Sequence, residues 1–181
     1  MLIVITGTPG TGKTTASALL GKMMGMPVLH LREFVKERKL SSGFDKKTQI
    51  DLVDLGKLGK ELSKELAKGE KRIVEGHLAC EIPLPAQFVF VLRCEPGELR
   101  RRMKKRRYAR AKLNENLMAE MLDYCTQNSE ANCPEASICE LETSGKTAEE
   151  TAARMLKIIS GKAKGDKVDY RKQLKEFLEL R

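Results

Sequence analysis

Short apolar runs alternate along the chain with longer segments in which apolar residues recur every three or four positions. Five runs have the length and composition of buried strands, at residues 2–5, 27–31, 72–75, 88–92 and 138–142. Strands that alternate with helices form a parallel sheet with helices on both faces. The pattern therefore predicts a three-layer α/β domain with a central parallel sheet of about five strands.

The segments between and after these strands have the helical period. Predicted helices cover residues 16–24, 32–40, 49–68, 96–107, 113–129, 147–160 and 167–180. A turn is predicted over Ser41–Asp45, and Gly69 is expected to end the third helix. We expect one domain over residues 1–165 and a C-terminal amphipathic helix within 166–181.

The loop after the first strand reads Gly-Thr-Pro-Gly-Thr-Gly-Lys-Thr over residues 7–14, which is the G-x-x-x-x-G-K-T pattern of a phosphate-binding P-loop. Glycines allow the backbone to turn successive N–H groups toward an anion, and the helix N-terminus behind them adds further donors. The residues expected to bind the nucleotide phosphates are Gly10, Gly12, Lys13, Thr14 and Thr15. The motif predicts nucleotide binding.

Two polar residues, Glu75 and His77, lie at or just after the end of the third predicted strand, at the sheet edge where P-loop proteins bind ligands. Glu75 ends that strand, where such enzymes keep an acidic residue for Mg²⁺, so Thr14 and Glu75 are the candidate Mg²⁺ ligands. The alternative is that Glu75 is a solvent-exposed carboxylate at a strand end. His77 either orients a water or contacts the γ-phosphate, or it is incidental. We interpret His30 as structural.

The chain is strongly basic, with a net charge of +9 and a pI of about 9.4. Nine of the thirteen residues from Arg100 to Lys112 are Lys or Arg. Three interpretations of this segment stay open: a lid that closes on the transferring phosphoryl group, a surface for nucleic acid, or a solvated helix face. The absence of Trp and the few Tyr and Phe residues disfavour base stacking as a main binding mode.

Several classes of protein fit the sequence poorly. The five cysteines form no C-x-x-C pair and are odd in number, which favours buried thiols over a zinc site or a disulfide framework. No apolar run approaches a membrane span, and the N-terminus is a strand rather than a signal peptide, so we expect a cytoplasmic protein, or a nuclear one in a eukaryote. GTPases usually carry an N-K-x-D element, which is missing here. The hydrophilic insertion at 32–70 favours a nucleotide kinase instead.

Four segments together resemble the adenylate kinase isoenzyme 6 family: residues 7–15, 73–80, 106–108 with 112–116, and 141–150. The resemblance covers about residues 1–160. It implies a P-loop fold of the nucleoside monophosphate kinase type with AMP-binding and lid insertions, and transfer of the ATP γ-phosphoryl group to AMP to give two ADP. It also implies ATPase activity and a part in small ribosomal subunit maturation, with a ribosomal platform protein and rRNA as partners.

The resemblance also implies roles for particular positions. An AMP-binding element would lie at about 30–53, with Arg32 and Lys36 on the AMP, and a lid at about 105–115. Arg106 would be the lid arginine on the ATP phosphates, and Lys146 would lie by the adenine. Glu75 and His77 match the D-x-H element of the family, in which the histidine is linked to ATP hydrolysis. Three positions depart from the family pattern: Glu75 replaces Asp, Arg107 replaces Gly, and Lys36 replaces Arg.

Three functional hypotheses follow. The first is phosphoryl transfer from Mg·ATP to AMP, with Lys13, Arg106 and His77 as the catalytic residues. The second is an ATP-driven ribosome assembly factor whose kinase activity is vestigial. The third is a kinase that acts on another nucleoside monophosphate.

Overall fold

The computed structural model describes residues 1–45, 50–106 and 108–179. The strands are β1 (Leu2–Thr6), β2 (Val28–His30), β3 (Ser41–Asp45), β4 (Ile50–Val53), β5 (Arg72–Glu75), β6 (Phe88–Arg93) and β7 (Ser137–Glu142). The helices are α1 (Lys13–Met24), α2 (Leu31–Glu37), α3 (Leu55–Leu66), α4 (Pro96–Lys105), α5 (Arg110–Met121), α6 (Tyr124–Asn132), α7 (Ala148–Ile159) and α8 (Arg171–Glu179). A 3₁₀ turn, His77–Glu81, follows β5.

Five strands form a parallel sheet in the order β2-β5-β1-β6-β7, which confirms the predicted fold class. Strand β1 is central and every one of its residues is buried. The strands on its two sides wind in opposite directions along the chain, so β1 ends at a topological switch point, where ligands of α/β sheets bind. The P-loop begins at that point.

Apolar residues fill both faces of the sheet. Alternate residues of β1 point to opposite faces: Ile3 and Ile5 pack with α1 and α7, whereas Val4 packs with α2 and α3. The two clusters give the predicted three layers. Among the described residues, the helices are too short or too polar to cross a lipid bilayer.

The segment between α2 and α3 differs from the prediction. Ser41–Asp45 is a strand, β3, and not a turn, and it pairs antiparallel with β4. The predicted helix from residue 49 is also wrong over β4, and residues 46–49 lie outside the described ranges. The helix begins only at Leu55, because the Asp54 carboxylate accepts a hydrogen bond from the Lys57 N–H at 2.9 Å and caps it.

The predicted helix 113–129 is two helices, α5 and α6. The break lies at Asp123, whose φ of +54° is in the left-handed region that Asp tolerates better than most residues. Its carboxylate accepts a hydrogen bond at 2.5 Å from the buried Arg93 guanidinium. This long-range contact explains the break, and local periodicity does not reveal it. Other element ends differ from the predictions by a few residues, and Arg107 and Leu180 lie outside the described part of the chain.

The C-terminal segment packs against helices α4 and α5. Tyr170 is buried in an apolar cluster with Leu99 and Met103 of α4 and Leu113 and Leu117 of α5. Leu174 and Phe177 of α8 pack against the same cluster. The tail helix therefore covers the base of the predicted lid.

Candidate functional site

The P-loop lies directly on the neighbouring strand. Gly7, Gly10 and Gly12 have φ values of +132°, +101° and +98°, which only glycine adopts readily. At Gly7 a Cβ would lie 2.3 Å from the main-chain oxygen of Leu92 in β6. The first glycine is therefore required for both its conformation and its close approach to the sheet.

Lys13 places a positive charge at the centre of this loop. Its Nζ donates hydrogen bonds to the carbonyls of Gly7 at 2.8 Å and Thr8 at 3.0 Å, and the residue is 8% exposed. Burial lowers the pKa of the Lys13 ammonium, although the charge of Glu75 acts in the opposite direction. The loop thus holds a desolvated cation where the motif predicts phosphate.

Thr14 and Glu75, the predicted metal ligands, lie together. The Thr14 hydroxyl donates to Glu75 Oε2 at 3.4 Å, and Glu75 is 6% exposed. A hydroxyl and a buried carboxylate are hard oxygen ligands, so these residues fit Mg²⁺. Within the described ranges, His, Cys, Asp and Glu side chains form no cluster of three that could hold a metal ion. Mg²⁺ here would therefore rely on nucleotide phosphates and water for its other ligands.

His30 lies next to Glu75 at this site, although from the sequence we interpret it as structural. Its Nδ1 lies 2.7 Å from Glu75 Oε2. Because an ionised carboxylate only accepts hydrogen bonds, the imidazole is the donor. The signal lies in the sheet register: His30 and Glu75 are paired residues at the ends of the adjacent strands β2 and β5.

His77 begins the 3₁₀ turn beside the P-loop. Its main-chain oxygen accepts a hydrogen bond from the Thr6 hydroxyl at 3.2 Å, which ties the turn to the end of β1. The residue is exposed toward a cavity. The surrounding protein partly desolvates the imidazole and lowers the pKa of His77, and the positive charges of Lys13 and Lys112 lower it further. The imidazole is therefore neutral at pH 7.

The cavity next to His77 has a volume of about 210 Å³. Its walls come from the P-loop, the 3₁₀ turn and helices α5 and α6. Lining residues include Thr8, Pro9, His77, Glu81, Glu115 and Asn116. The cavity therefore adjoins the loop in which the motif predicts phosphate binding.

Arg102 of α4 is a second residue that sequence reasoning missed. Its guanidinium donates to the carbonyls of Thr143 at 3.0 Å and Gly10 at 3.4 Å, and it pairs with Glu98 one helical turn away. The Thr143 hydroxyl in turn donates to the Thr11 carbonyl at 3.1 Å. These contacts join the lid helix to the outside of the P-loop, and only the Glu98 pairing has an i, i+4 signal in the sequence.

The other predicted site residues lie further out. Arg106 is exposed at the end of α4, and among the described residues its side chain makes no hydrogen bond or ion pair. Arg32 and Lys36 are exposed on α2 and do not line the cavity. Lys146 is 45% exposed and lies 3.7 Å from Asp166. Thr15 is exposed in the first turn of α1. Among the predicted site residues that the structure describes, Lys13, Thr14, Glu75 and His77 lie together at the P-loop with Gly10 and Gly12, and the others lie apart from them.

The family model of the AAA domain matches residues 3–123 of the chain. This range contains the P-loop, Glu75, His77 and helices α4 and α5. The chain belongs to the AAA-domain family. The AAA-domain match thus covers the P-loop, Glu75 and His77, whereas α6, Thr143 and Lys146 lie beyond it.

Archaeal relatives match this AAA-domain chain over almost its full length. It is 38% identical to a protein named "Putative adenylate kinase" of Methanosarcina acetivorans, over 98% of this chain and 94% of the relative. Relatives of the same name from Pyrococcus furiosus and Methanocaldococcus jannaschii are 34% and 32% identical, and the alignments cover 98% and 99% of this chain and 96% and 98% of theirs. The chain is a member of this group of proteins.

Solved structures show the same fold. The AAA-domain chain superposes on shikimate kinase from Acinetobacter baumannii in complex with shikimate with a TM-score of 0.60 and 17% identity, over 88% of this chain and 93% of that one. Shikimate kinase from Aquifex aeolicus gives a TM-score of 0.53 and 19% identity, over 89% and 97%. At these identities the likeness concerns the fold, which is that of P-loop kinases.

Proposed function

We propose that the chain is an adenylate kinase that transfers the γ-phosphoryl group of ATP to AMP and forms two ADP. The observation that carries the proposal is the buried Lys13 ammonium at the centre of the P-loop, next to a cavity open to a second substrate. The shared name of the archaeal relatives supports the choice of AMP as acceptor.

Each residue of the site has a part in this reaction. Lys13 contacts the β- and γ-phosphates and stabilises the charge that develops on them. Thr14 and Glu75 would hold Mg²⁺, which neutralises phosphate charge when it is bound. His30 fixes the Glu75 carboxylate through its 2.7 Å hydrogen bond. Neutral His77 orients the acceptor or a water at the cavity. Since catalysis of this kind depends on positioning and electrostatics, we expect no covalent intermediate.

In this proposal, α2 and the predicted lid at about 105–115 move toward the cavity when the acceptor binds. Arg32 and Lys36 lie four residues apart on α2, so their side chains share one face and can grip an AMP phosphate together. Both are exposed in this structure, and Arg106 is as well. Closure of such elements over bound substrates is common in kinases and excludes water from the reaction.

An acceptor screen tests the proposal. The purified chain is incubated with Mg·ATP and either AMP, CMP, UMP, dTMP or shikimate, and the phosphorylated product is separated and quantified. We expect AMP to be the best acceptor by at least about tenfold in kcat/KM. Preferential phosphorylation of another nucleoside monophosphate or of shikimate would refute the assignment of AMP.

A second candidate is an ATPase that acts in ribosome assembly through a ribosomal protein and rRNA. The supporting observations are the net charge of +9 and the exposed cations of α4, such as Arg101, Lys104 and Lys105. Phosphate release from ATP is measured with and without AMP, together with RNA binding at increasing salt. Hydrolysis that ignores AMP, with RNA affinity that falls steeply as salt rises, would favour this candidate.

A further inference from the structure

Helix α5 presents one face to the cavity beside the P-loop. Glu115, Asn116 and Ala119 of that helix line the cavity. Lys112 precedes them by three, four and seven residues, so it lies on the same face, one turn nearer the helix N-terminus. A cation therefore lies on the cavity-lining face of α5, one helical turn from the residues that line the cavity.

The contacts of Lys112 hold it in this position. Its Nζ lies 5.0 Å from the centre of the Tyr108 ring, in a cation–π contact. The Asn116 side chain donates a hydrogen bond to the Lys112 carbonyl at 2.7 Å. Asn116 itself lines the cavity, so this hydrogen bond joins the Lys112 main chain to the cavity wall.

Lys112 differs from its neighbours in the basic segment in its burial and in the helix face on which it lies. Lys105, Arg106 and Arg110 are exposed, whereas Lys112 is half-buried. Among the described cations of residues 105–115, it is the one that shares a helix face with the cavity lining. Arg107 lies outside the described residues.

We propose that Lys112 is the lid cation that contacts the phosphate groups during transfer, opposite Lys13. The inference rests on the proposed function and names a residue that the family resemblance left without a role. In the reaction, the bond from the γ-phosphorus to the oxygen it shares with the β-phosphate breaks, and a bond to an AMP phosphate oxygen forms. The dianionic AMP phosphate has no proton to lose, and Lys112 stays protonated and stabilises the charge on the moving group.

Three variants test the role of Lys112. Lys112→Met keeps the apolar stem and removes the charge, and Lys112→Arg keeps the charge. Arg110→Met is the matched control, because it removes an exposed cation two residues away. Both kcat and KM are measured with saturating Mg·ATP and AMP, and thermal unfolding is measured for every variant.

We expect Lys112→Met to lower kcat by about 30-fold or more, with the KM for ATP changed less than about threefold, because the charge acts mainly in the transition state. Lys112→Arg should stay within about tenfold of the parent, and Arg110→Met within about twofold. A Lys112→Met kcat within about threefold of the parent would overturn the inference. So would an equal loss in Arg110→Met.

The activity of the parent chain distinguishes a failure of this inference from a failure of the proposed function. If it forms no ADP from ATP and AMP, the proposed function fails, and the same variants are then compared by ATP hydrolysis. Selective loss of hydrolysis in Lys112→Met would still support a phosphate-facing Lys112. Equal hydrolysis by all variants, or a parent that neither transfers nor hydrolyses, would overturn it.

Discussion

Glu75 and His30 show how one residue contact defines the chemistry of this site. The carboxylate is buried, and its Oε2 accepts hydrogen bonds from both Thr14 and His30. The position of Glu75 at a strand end is readable from the sequence. The contact with His30 is not, because it depends on the pairing of β2 with β5. In the sequence, 41 residues separate these two strands, and they include α2, the β3–β4 hairpin and α3.

Replacement of His30 by Ala should raise the Mg²⁺ concentration needed for half-maximal ADP formation by about tenfold or more, because groups that orient a metal ligand typically contribute this much. Glu75→Gln should cause a comparable change. The double variant should be little worse than either single variant, since both remove the same interaction. An unchanged Mg²⁺ requirement in His30→Ala would show that the histidine does not position the carboxylate.

Gly7→Ala should reduce the free energy of unfolding by at least about 2 kcal/mol, because the new methyl group would meet the Leu92 carbonyl and strain the loop. Gly25→Ala is the control. Gly25 also has a positive φ, of +62°, but nothing lies within 4 Å of the added Cβ, so we expect about 1 kcal/mol there. Urea unfolding measures both values, and equal losses would contradict the close approach of the P-loop to β6.

Among the strands and helices, the sequence predicts those that hydrophobic periodicity or capping residues define. Strands β1 and β6 are nearly continuous apolar runs, and α7 begins with a capping box between Thr147 and Glu150, so the sequence predicts these elements. Strand β4 resembles a helix because its apolar residues continue into α3, and Ser41–Asp45 of β3 has the composition of a turn. The α5–α6 break depends on Arg93, which lies 30 residues from Asp123. The antiparallel pairing of β3 with β4 decides the first case, and a contact between distant residues decides the second.

The C-terminal segment is attached to the sheet by a polar contact. Tyr170 donates a hydrogen bond to the Glu142 carboxylate at the end of β7. Burial alone would raise the pKa of Glu142, but hydrogen bonds from Ser144 and Tyr170 lower it below its usual value of 4.5. The stability that this carboxylate contributes is therefore fully present above pH 4.5 and is lost as the pH falls through the lower, folded-state value.

Tyr170→Phe should lower the free energy of unfolding by about 1.5 kcal/mol at pH 7, because it removes a hydrogen bond to a charged group. The difference from the parent should shrink toward zero as the pH is lowered below the pKa of Glu142. Tyr108→Phe is the control, with a small effect that does not change with pH. Urea unfolding across the pH range measures both, and a Tyr170→Phe effect that is constant with pH would contradict the contact with ionised Glu142.

For the whole molecule, the order of strands and helices is enough to place the P-loop, Glu75 and His77 at one edge of the sheet. The sequence predicts these three positions because each directly follows or ends a strand. It does not predict Arg102, which reaches the P-loop from α4 across a gap of 92 residues to Gly10. Residues that join separate elements become visible only when the elements are packed.

The central claim is that the P-loop holds the phosphates of ATP through Lys13. Calorimetric titration of Mg·ATP into the folded chain tests it most directly, with Lys13→Met as the matched variant that keeps the apolar stem. We predict one ATP bound per chain and at least about a tenfold weaker dissociation constant in the variant, the loss expected for a buried cation on phosphate. No heat of binding in the folded parent, or equal affinities in parent and variant, would contradict the account.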